Sequence, residues 1–134
     1  MTITDSAISL NVTDVEASSR WLREHLGWSE VMSADGFASM HHPEVGFNIV
    51  LLRVGLATFK PASAAVPVNG LLIAFVVDDI EREYDRLRGE GVTIVTPLET
   101  EPWGERYFQV ADPSGVVYQL VQWVDAPEGA VSPG

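Results

Sequence analysis

Residues 7–23, AISLNVTDVEASSRWLR, align without gaps on residues 72–88, LIAFVVDDIEREYDRLR, and six of the seventeen pairs are identical. Each copy starts with an apolar run of strand length. An aspartate, Asp14 or Asp79, then precedes an amphipathic segment, and aspartate is favoured at the start of a helix. The two stretches therefore predict an internal repeat of one strand–helix unit.

Further strand-like segments follow each predicted helix. In the second copy they cover residues 92–96, 106–111 and 116–124, and in the first copy residues 31–32, 36–40 and 47–54. Residues 112–115, DPSG, have proline and glycine at the positions that favour a type I turn. Each half of the chain therefore predicts a βαβββ module.

The length of 134 residues and the hydrophobic content of 46% are those of one ordinary globular domain. We expect a single domain over 1–134, divided into module 1 (about 5–54), a linker (55–70), module 2 (about 71–125) and a tail (126–134). The absence of cysteine excludes zinc fingers, thioredoxin-like motifs and thiol nucleophiles.

The charge balance also excludes a class of partner. Eight Lys and Arg residues stand against 19 Asp and Glu, which gives a formal net charge of −11. Because nucleic acids are bound first through basic residues, this composition predicts no nucleic-acid partner. The excess of acid serves solubility first, and it also suits a cationic partner. Without a long apolar run or a signal peptide, the expectation is no membrane contact and a cytoplasmic location.

The repeat combines with three short motifs, which are residues 102–108 (PWGERYF), the turn at 112–115 and residues 118–120 (YQL). Together they resemble the vicinal oxygen chelate superfamily, which contains glyoxalase I, extradiol dioxygenases and bleomycin-resistance proteins. The resemblance covers residues 7–124. It implies an α+β fold in which tandem βαβββ modules form a curved mixed sheet around a concave cavity, paired in a dimer.

In metal-dependent members of this superfamily, four strand positions supply the ligands. Carried onto this chain, the resemblance places them at Ala7, Val50, Leu72 and Gln119. Three of these side chains have no electron pair to donate, and one neutral amide cannot hold a divalent ion. The sequence therefore predicts neither a metal nor another cofactor. It is most similar to the metal-free, bleomycin-resistance-like members, which sequester a cationic antibiotic as homodimers.

Three histidines are the remaining candidates for acid–base or metal chemistry. His25, near the end of the first helix, is expected to be a surface or capping residue. His41 and His42 are adjacent, so in an extended chain they point to opposite sides and do not share a ligand. His41 alone is expected to reach a bound molecule.

Strand alternation predicts which side chains line the cavity. The predicted lining is apolar with a few amides and a hydroxyl, and it contains no acidic residue. Two loop aromatics, Phe59 and Trp103, are expected to act as a lid or stacking wall, although each apolar strand position also suits an ordinary sheet core. The predicted ligand-binding residues are Ser9, Asn11, Phe37, His41, Asn48, Val50, Phe59, Trp103, Tyr107, Gln119 and Trp123.

Such a lining suits a large aromatic ligand that is held by shape, stacking and sparse hydrogen bonds. The leading hypothesis is metal-independent sequestration of a bulky, DNA-damaging antibiotic that is bleomycin-, enediyne- or mitomycin-like, or of an aromatic metabolite. One alternative is a glyoxalase-like lyase or another small-molecule enzyme of the same fold. Another is a binding or regulatory module with no role in resistance.

Overall fold

The computed structural model describes residues 1–56 and 65–124. The chain divides into two compact units, Met1–Gly70 and Leu71–Gly134, which we call module 1 and module 2. Module 1 contains β1 (Ala7–Val12), α1 (Val15–His25), β2 (Ser29–Ala34), β3 (Phe37–His41) and β4 (Asn48–Arg53). Module 2 contains β5 (Leu72–Val76), α2 (Ile80–Gly89), β6 (Thr93–Thr100), β7 (Glu105–Ala111) and β8 (Val117–Trp123). The predicted pair of βαβββ modules is confirmed.

Each module has one four-stranded mixed sheet. The strand order is β1-β4-β3-β2 in module 1 and β5-β8-β7-β6 in module 2. In both sheets the first strand pairs in parallel with the last, and the other pairs are antiparallel. The sequence repeat is therefore a repeat of topology as well.

The two predicted helix caps are present. The Asp14 side chain accepts a hydrogen bond from the Ala17 amide at 3.0 Å, and the Asp79 side chain accepts one from the Arg82 amide at 3.1 Å. Each cap satisfies an amide that has no partner within the helix. None of the helices in residues 1–56 and 65–124 is long and apolar enough to cross a membrane.

The core of each module lies between its helix and one face of its sheet. In module 1, Leu10 and Leu51 are neighbours in register and fully buried, and buried Met40 accepts a hydrogen bond from Ser19 of α1. In module 2, the buried ring of Phe108 on β7 meets Tyr84 of α2 edge-on, with ring centroids 4.9 Å apart. In β1, β3 and β7 the buried residues alternate with less buried ones, which face away from the helix.

Two strands are longer than their sequence pattern predicts. β2 starts at Ser29 rather than at residue 31, and all six of its residues are exposed. β6 runs on to Thr100 rather than ending at residue 96, and it contains Pro97. Both are edge strands with irregular register, and a bulge breaks the two-residue alternation that marks a strand in sequence.

The turn between β2 and β3 depends on one glycine. Gly36 has φ +75°, and a Cβ there would lie 3.0 Å from Leu56 Cδ2 and 3.2 Å from Arg53 Cζ. We expect Gly36→Ala to lower the free energy of unfolding by about 1–2 kcal/mol, because a side chain at positive φ is strained. Urea unfolding followed by circular dichroism measures the change.

Gly89→Ala is the matched control for this substitution. Gly89 ends α2, its φ is not positive, and an added Cβ meets nothing within 4 Å. Alanine there is expected to be neutral or to stabilise by about 0.4–1 kcal/mol, since it removes freedom from the unfolded chain. Equal losses of stability in the two variants would contradict the role given to Gly36.

Candidate functional site

The candidate site is built on the sheet faces that are turned away from the helices, which we call the open faces. In module 1, three rows of side chains cross this face, and neighbours within a row are register partners. The rows are Ala7 with Asn48, then Ser9, Val50, Ser39 and Met32, then Asn11, Leu52, Phe37 and Ala34.

The open face of module 2 repeats this arrangement. Its rows are Leu72, Val117, Ala111 and Thr93, then Ala74, Gln119, Gln109 and Thr96, then Val76, Val121, Tyr107 and Glu99. Trp123 follows Val121 on the same face and lies opposite Glu105 of β7. Both faces contain apolar side chains in every row. They differ mainly in which row positions hold polar side chains.

Most of the predicted site residues lie on these two faces. Those in module 1 are Ser9, Asn11, Phe37, His41, Asn48 and Val50, and those in module 2 are Tyr107, Gln119 and Trp123. Trp103 lies in the turn between β6 and β7 and is 48% exposed. Phe59 falls outside the described residues.

His41 and Asn48 form a polar pair on the open face of module 1. His41 Nδ1 lies 3.0 Å from Asn48 Oδ1. An amide oxygen only accepts hydrogen bonds, so this contact places the imidazole proton on Nδ1 and leaves Nε2 as an acceptor in the neutral ring. The adjacent His42 makes different contacts. Its ring packs against Trp28, and its Nδ1 accepts a hydrogen bond from the Glu44 amide.

A ladder of three polar side chains crosses the open face of module 2. Thr96 Oγ1 donates to Gln109 Oε1 at 2.6 Å, and Gln109 Nε2 donates to Gln119 Oε1 at 2.8 Å. Gln119 is only 7% exposed. Sequence reasoning selected Gln119 but missed Gln109 and Thr96, although alternation from Tyr107 along β7 points to Gln109.

The next row of the same face carries an acidic group. The Tyr107 hydroxyl lies 2.7 Å from Glu99 Oε1 and 2.8 Å from Glu101 Oε1. Hydrogen bonding to Glu99 and then to Glu101 raises the pKa of Tyr107, so the phenol stays protonated at neutral pH. The predicted lining contains no acidic residue, whereas the structure places Glu99 beside Tyr107, one of the predicted site residues. Glu99 reaches the open face because β6 continues past residue 96.

The four positions that match the metal ligands of the superfamily do not fit a metal in this chain. Ala7, Val50 and Leu72 carry no donor atom, and the oxygen of Gln119 already accepts from Gln109. Within residues 1–56 and 65–124, no three His, Asp or Glu side chains are grouped as a metal site would require. The chemistry of these open faces is that of apolar groups, amides, hydroxyls, one histidine and, beside Tyr107, the carboxylate of Glu99.

A cleft lies in module 1 between α1 and the β2–β3 hairpin, and its lining includes Ala34 and the predicted site residue Phe37. Its volume is about 490 Å³ and its lining is strongly charged. Arg53 and Asp35 form an ion pair in it at 2.9 Å, and the hydrogen bond from Arg53 lowers the pKa of Asp35. Its other charged residues are Asp14, Glu16, Arg23 and Glu30. Sequence reasoning did not predict this cleft.

The sequence profile of the glyoxalase/bleomycin resistance protein/dioxygenase superfamily matches residues 6–120. The chain belongs to this superfamily. The crystal structure of a superfamily member from Nocardioides superposes with a TM-score of 0.77 at 24% identity, over 100% of this chain and 89% of that one. Lactoylglutathione lyase from Agrobacterium tumefaciens superposes with a TM-score of 0.72 at 16% identity, over 90% and 94% of the two chains. The two superpositions establish a shared fold, and at these identities they establish the fold alone.

Among curated proteins, the uncharacterized protein Mb0911c of Mycobacterium bovis is 42% identical to this chain over 83 residues. The match covers 58% of this chain and 53% of that protein, so the chain spans about half the length of this relative. The superfamily contains enzymes and binding proteins alike, and function has to be argued from the open faces.

Proposed function

We propose that this chain binds a bulky, aromatic natural product without a metal and thereby sequesters it, with bleomycin-, enediyne- or mitomycin-like antibiotics as the candidate ligands. The observation that carries the proposal is the nature of the side chains at the four positions that bind the metal in metal-dependent members of the superfamily. Ala7, Val50 and Leu72 offer only hydrocarbon, and binding by hydrocarbon and amide groups needs no metal. Sequestration also needs no turnover.

The apolar part of the open faces supports this proposal. In module 2, Leu72 and Val76 of β5 are exposed and lie on either side of Ala74 on the same face. Exposed apolar side chains grouped on one face are typical of a binding surface. A planar aromatic ligand would bury this surface and take hydrogen bonds from the few polar groups beside it.

The acidic group favours a cationic ligand. Glu99 and Glu101 bring two carboxylates to the Tyr107 hydroxyl, and the whole chain has a net charge of −11. Negative potential raises the local concentration of a positive ligand. The proposed ligand therefore combines an aromatic body with at least one protonated amine.

The chain is further proposed to act as a homodimer. β2 is an edge strand whose six residues are all exposed, including the large apolar side chains Val31 and Met32. An exposed strand edge is a surface for pairing unless another chain covers it. Light scattering at micromolar concentration should give twice the chain mass of 14.6 kDa. A monomer at that concentration contradicts the proposal.

Quenching of tryptophan fluorescence tests sequestration. The purified chain is titrated with bleomycin, mitomycin C and an enediyne, once in EDTA and once with Ni²⁺ or Zn²⁺. We expect at least one compound to bind with a micromolar Kd or tighter in both conditions. Binding that requires the metal, or no binding at all, would contradict the proposed function.

The His41–Asn48 pair favours a second candidate function, which is metal-independent proton transfer. The contact leaves His41 Nε2 as an acceptor on the open face, and an oriented imidazole is the commonest general base. Mass spectrometry of the recovered ligand separates the two functions. Unaltered ligand supports sequestration. An altered ligand, whose formation is lost in His41→Gln, supports an enzyme.

A further inference from the structure

The polar ladder of module 2 has a direction. Thr96, Gln109 and Gln119 are register partners in one row across β6, β7 and β8. At each step a donor on one side chain meets the amide oxygen of the next, first at 2.6 Å and then at 2.8 Å. The oxygens of both amides are therefore engaged from the β6 side.

The end of the ladder is the amide nitrogen of Gln119. Because Oε1 of Gln119 accepts from Gln109, Nε2 is the end of this amide that the ladder leaves for another partner. The strand on the other side of β8 from β7 is β5. The register partner of Gln119 on β5 is Ala74, an exposed residue with a short side chain. The nearly buried Gln119 thus pairs in register with the residue that lies between the exposed Leu72 and Val76 on β5.

We propose that Gln119 is the hydrogen-bond donor that recognises an oxygen acceptor of the ligand, such as a carbonyl or quinone oxygen. Thr96 and Gln109 are positioning residues, since they fix which end of the Gln119 amide faces the ligand. This inference rests on the proposed function and adds to it the class of group that the ligand must carry.

The direction decides recognition because a buried amide discriminates strongly between partners. An acceptor placed against the Nε2 end gains a hydrogen bond, whereas the same acceptor against an amide oxygen leaves two acceptors facing each other. A site built around a polar group rejects a ligand that lacks the matching group more strongly than a hydrophobic pocket rejects one of altered size.

Gln109→Glu inverts the ladder without changing Gln119. A carboxylate at position 109 only accepts, so it takes hydrogen bonds from both Thr96 and the Nε2 of Gln119. The oxygen of Gln119 is then the end that the ladder leaves for another partner. Gln119→Glu gives the same acceptor-only end directly. Thr96→Ser is the matched control, because it keeps the hydroxyl that begins the ladder.

The probes are 2-(aminomethyl)anthraquinone and 2-(aminomethyl)anthracene, two cationic aromatics of one shape that differ in their carbonyl oxygens. Calorimetric titration should show that the natural chain and Thr96→Ser bind the quinone about tenfold more tightly, a ratio that corresponds to about 1.4 kcal/mol. Gln109→Glu and Gln119→Glu should lose this preference. The added charge attracts both probes alike, so it cancels in the ratio.

The outcomes separate the inference from the proposed function. Equal affinity of the two probes for the natural chain overturns the inference and leaves sequestration standing. Failure of both probes and of the antibiotics to bind overturns both. Side-chain amide exchange measured by NMR tests the ladder without a ligand, since the Nε2 hydrogens of Gln109 should exchange more slowly than those of Gln119. The reverse order overturns the inference, and thermal melting checks that each variant folds.

Discussion

Replacing Phe108 by alanine should lower the free energy of unfolding by about 3–5 kcal/mol. The Phe108 side chain on β7 is fully buried, and its ring contacts Tyr84 of α2 edge-on at a centroid distance of 4.9 Å. This ring contact is therefore one of those that hold α2 on the sheet of module 2. The substitution removes both the buried area and the aromatic contact, and it leaves a cavity between packed elements.

A loss of this size is a large part of the 5–15 kcal/mol that stabilises a typical domain. Urea unfolding, with the near-ultraviolet circular dichroism signal of the aromatic residues as the probe, measures it. Trp103→Ala is the matched control, because it also removes an aromatic side chain from module 2, but one that is 48% exposed. Its cost should stay below about 1 kcal/mol. Similar costs for the two variants would mean that the core of module 2 is placed incorrectly.

The fold was predictable because the repeat, its helix caps and its turns are local signals in the sequence. Asp14 and Asp79 precede their helices and cap them in the structure, so short-range hydrogen bonding fixed both starts. The turn at residues 112–115 is closed by the Gly115 amide donating to the Asp112 carbonyl oxygen at 3.0 Å. These features depend on neighbours in the chain and need no knowledge of tertiary structure.

The edge strands were less predictable for a physical reason. β2 has no buried residue, so its sequence carries no alternation between apolar and polar positions. β6 contains Pro97, which a central strand rejects and an edge strand tolerates, and its register shifts twice. Its pairing with β7 is set by the sheet and is not marked in the sequence.

The same limit explains what was missed at the site. Alternation along single strands selected Ser9, Val50 and Gln119, and in the structure Ser9 pairs with Val50 and Gln119 pairs with Ala74. The ladder from Thr96 to Gln119 depends on how three strands align. In addition, β6 was predicted to end at residue 96, which is the ladder residue of this strand. The contact between His41 and Asn48 likewise joins two strands. Cross-strand partners need a register, which a single sequence does not give.

Trp103→Ala should weaken the binding of the proposed aromatic ligand by about 1–3 kcal/mol, the cost of removing an aromatic anchor from an interface. Trp103 lies in a turn that is closed by backbone hydrogen bonds, in which the Gly104 amide donates to the Glu101 carbonyl oxygen at 3.0 Å. Alanine leaves this turn intact. Because the indole is half exposed, it is free to stack on a ligand. The acidic side chain of Glu101, which contacts Tyr107, belongs to the same turn.

Calorimetry measures the change best, since the substitution removes one of the four tryptophans that a fluorescence assay would report. Val95→Ala is the control, because Val95 lies on β6 of the same hairpin and is 49% exposed. It should leave affinity unchanged, while Trp103→Phe should retain part of it through the smaller ring. If Val95→Ala and Trp103→Ala weaken binding equally, general loss of apolar surface accounts for the effect. If neither does so while the ligand still binds, Trp103 lies outside the binding site and the ligand rests on the sheet alone.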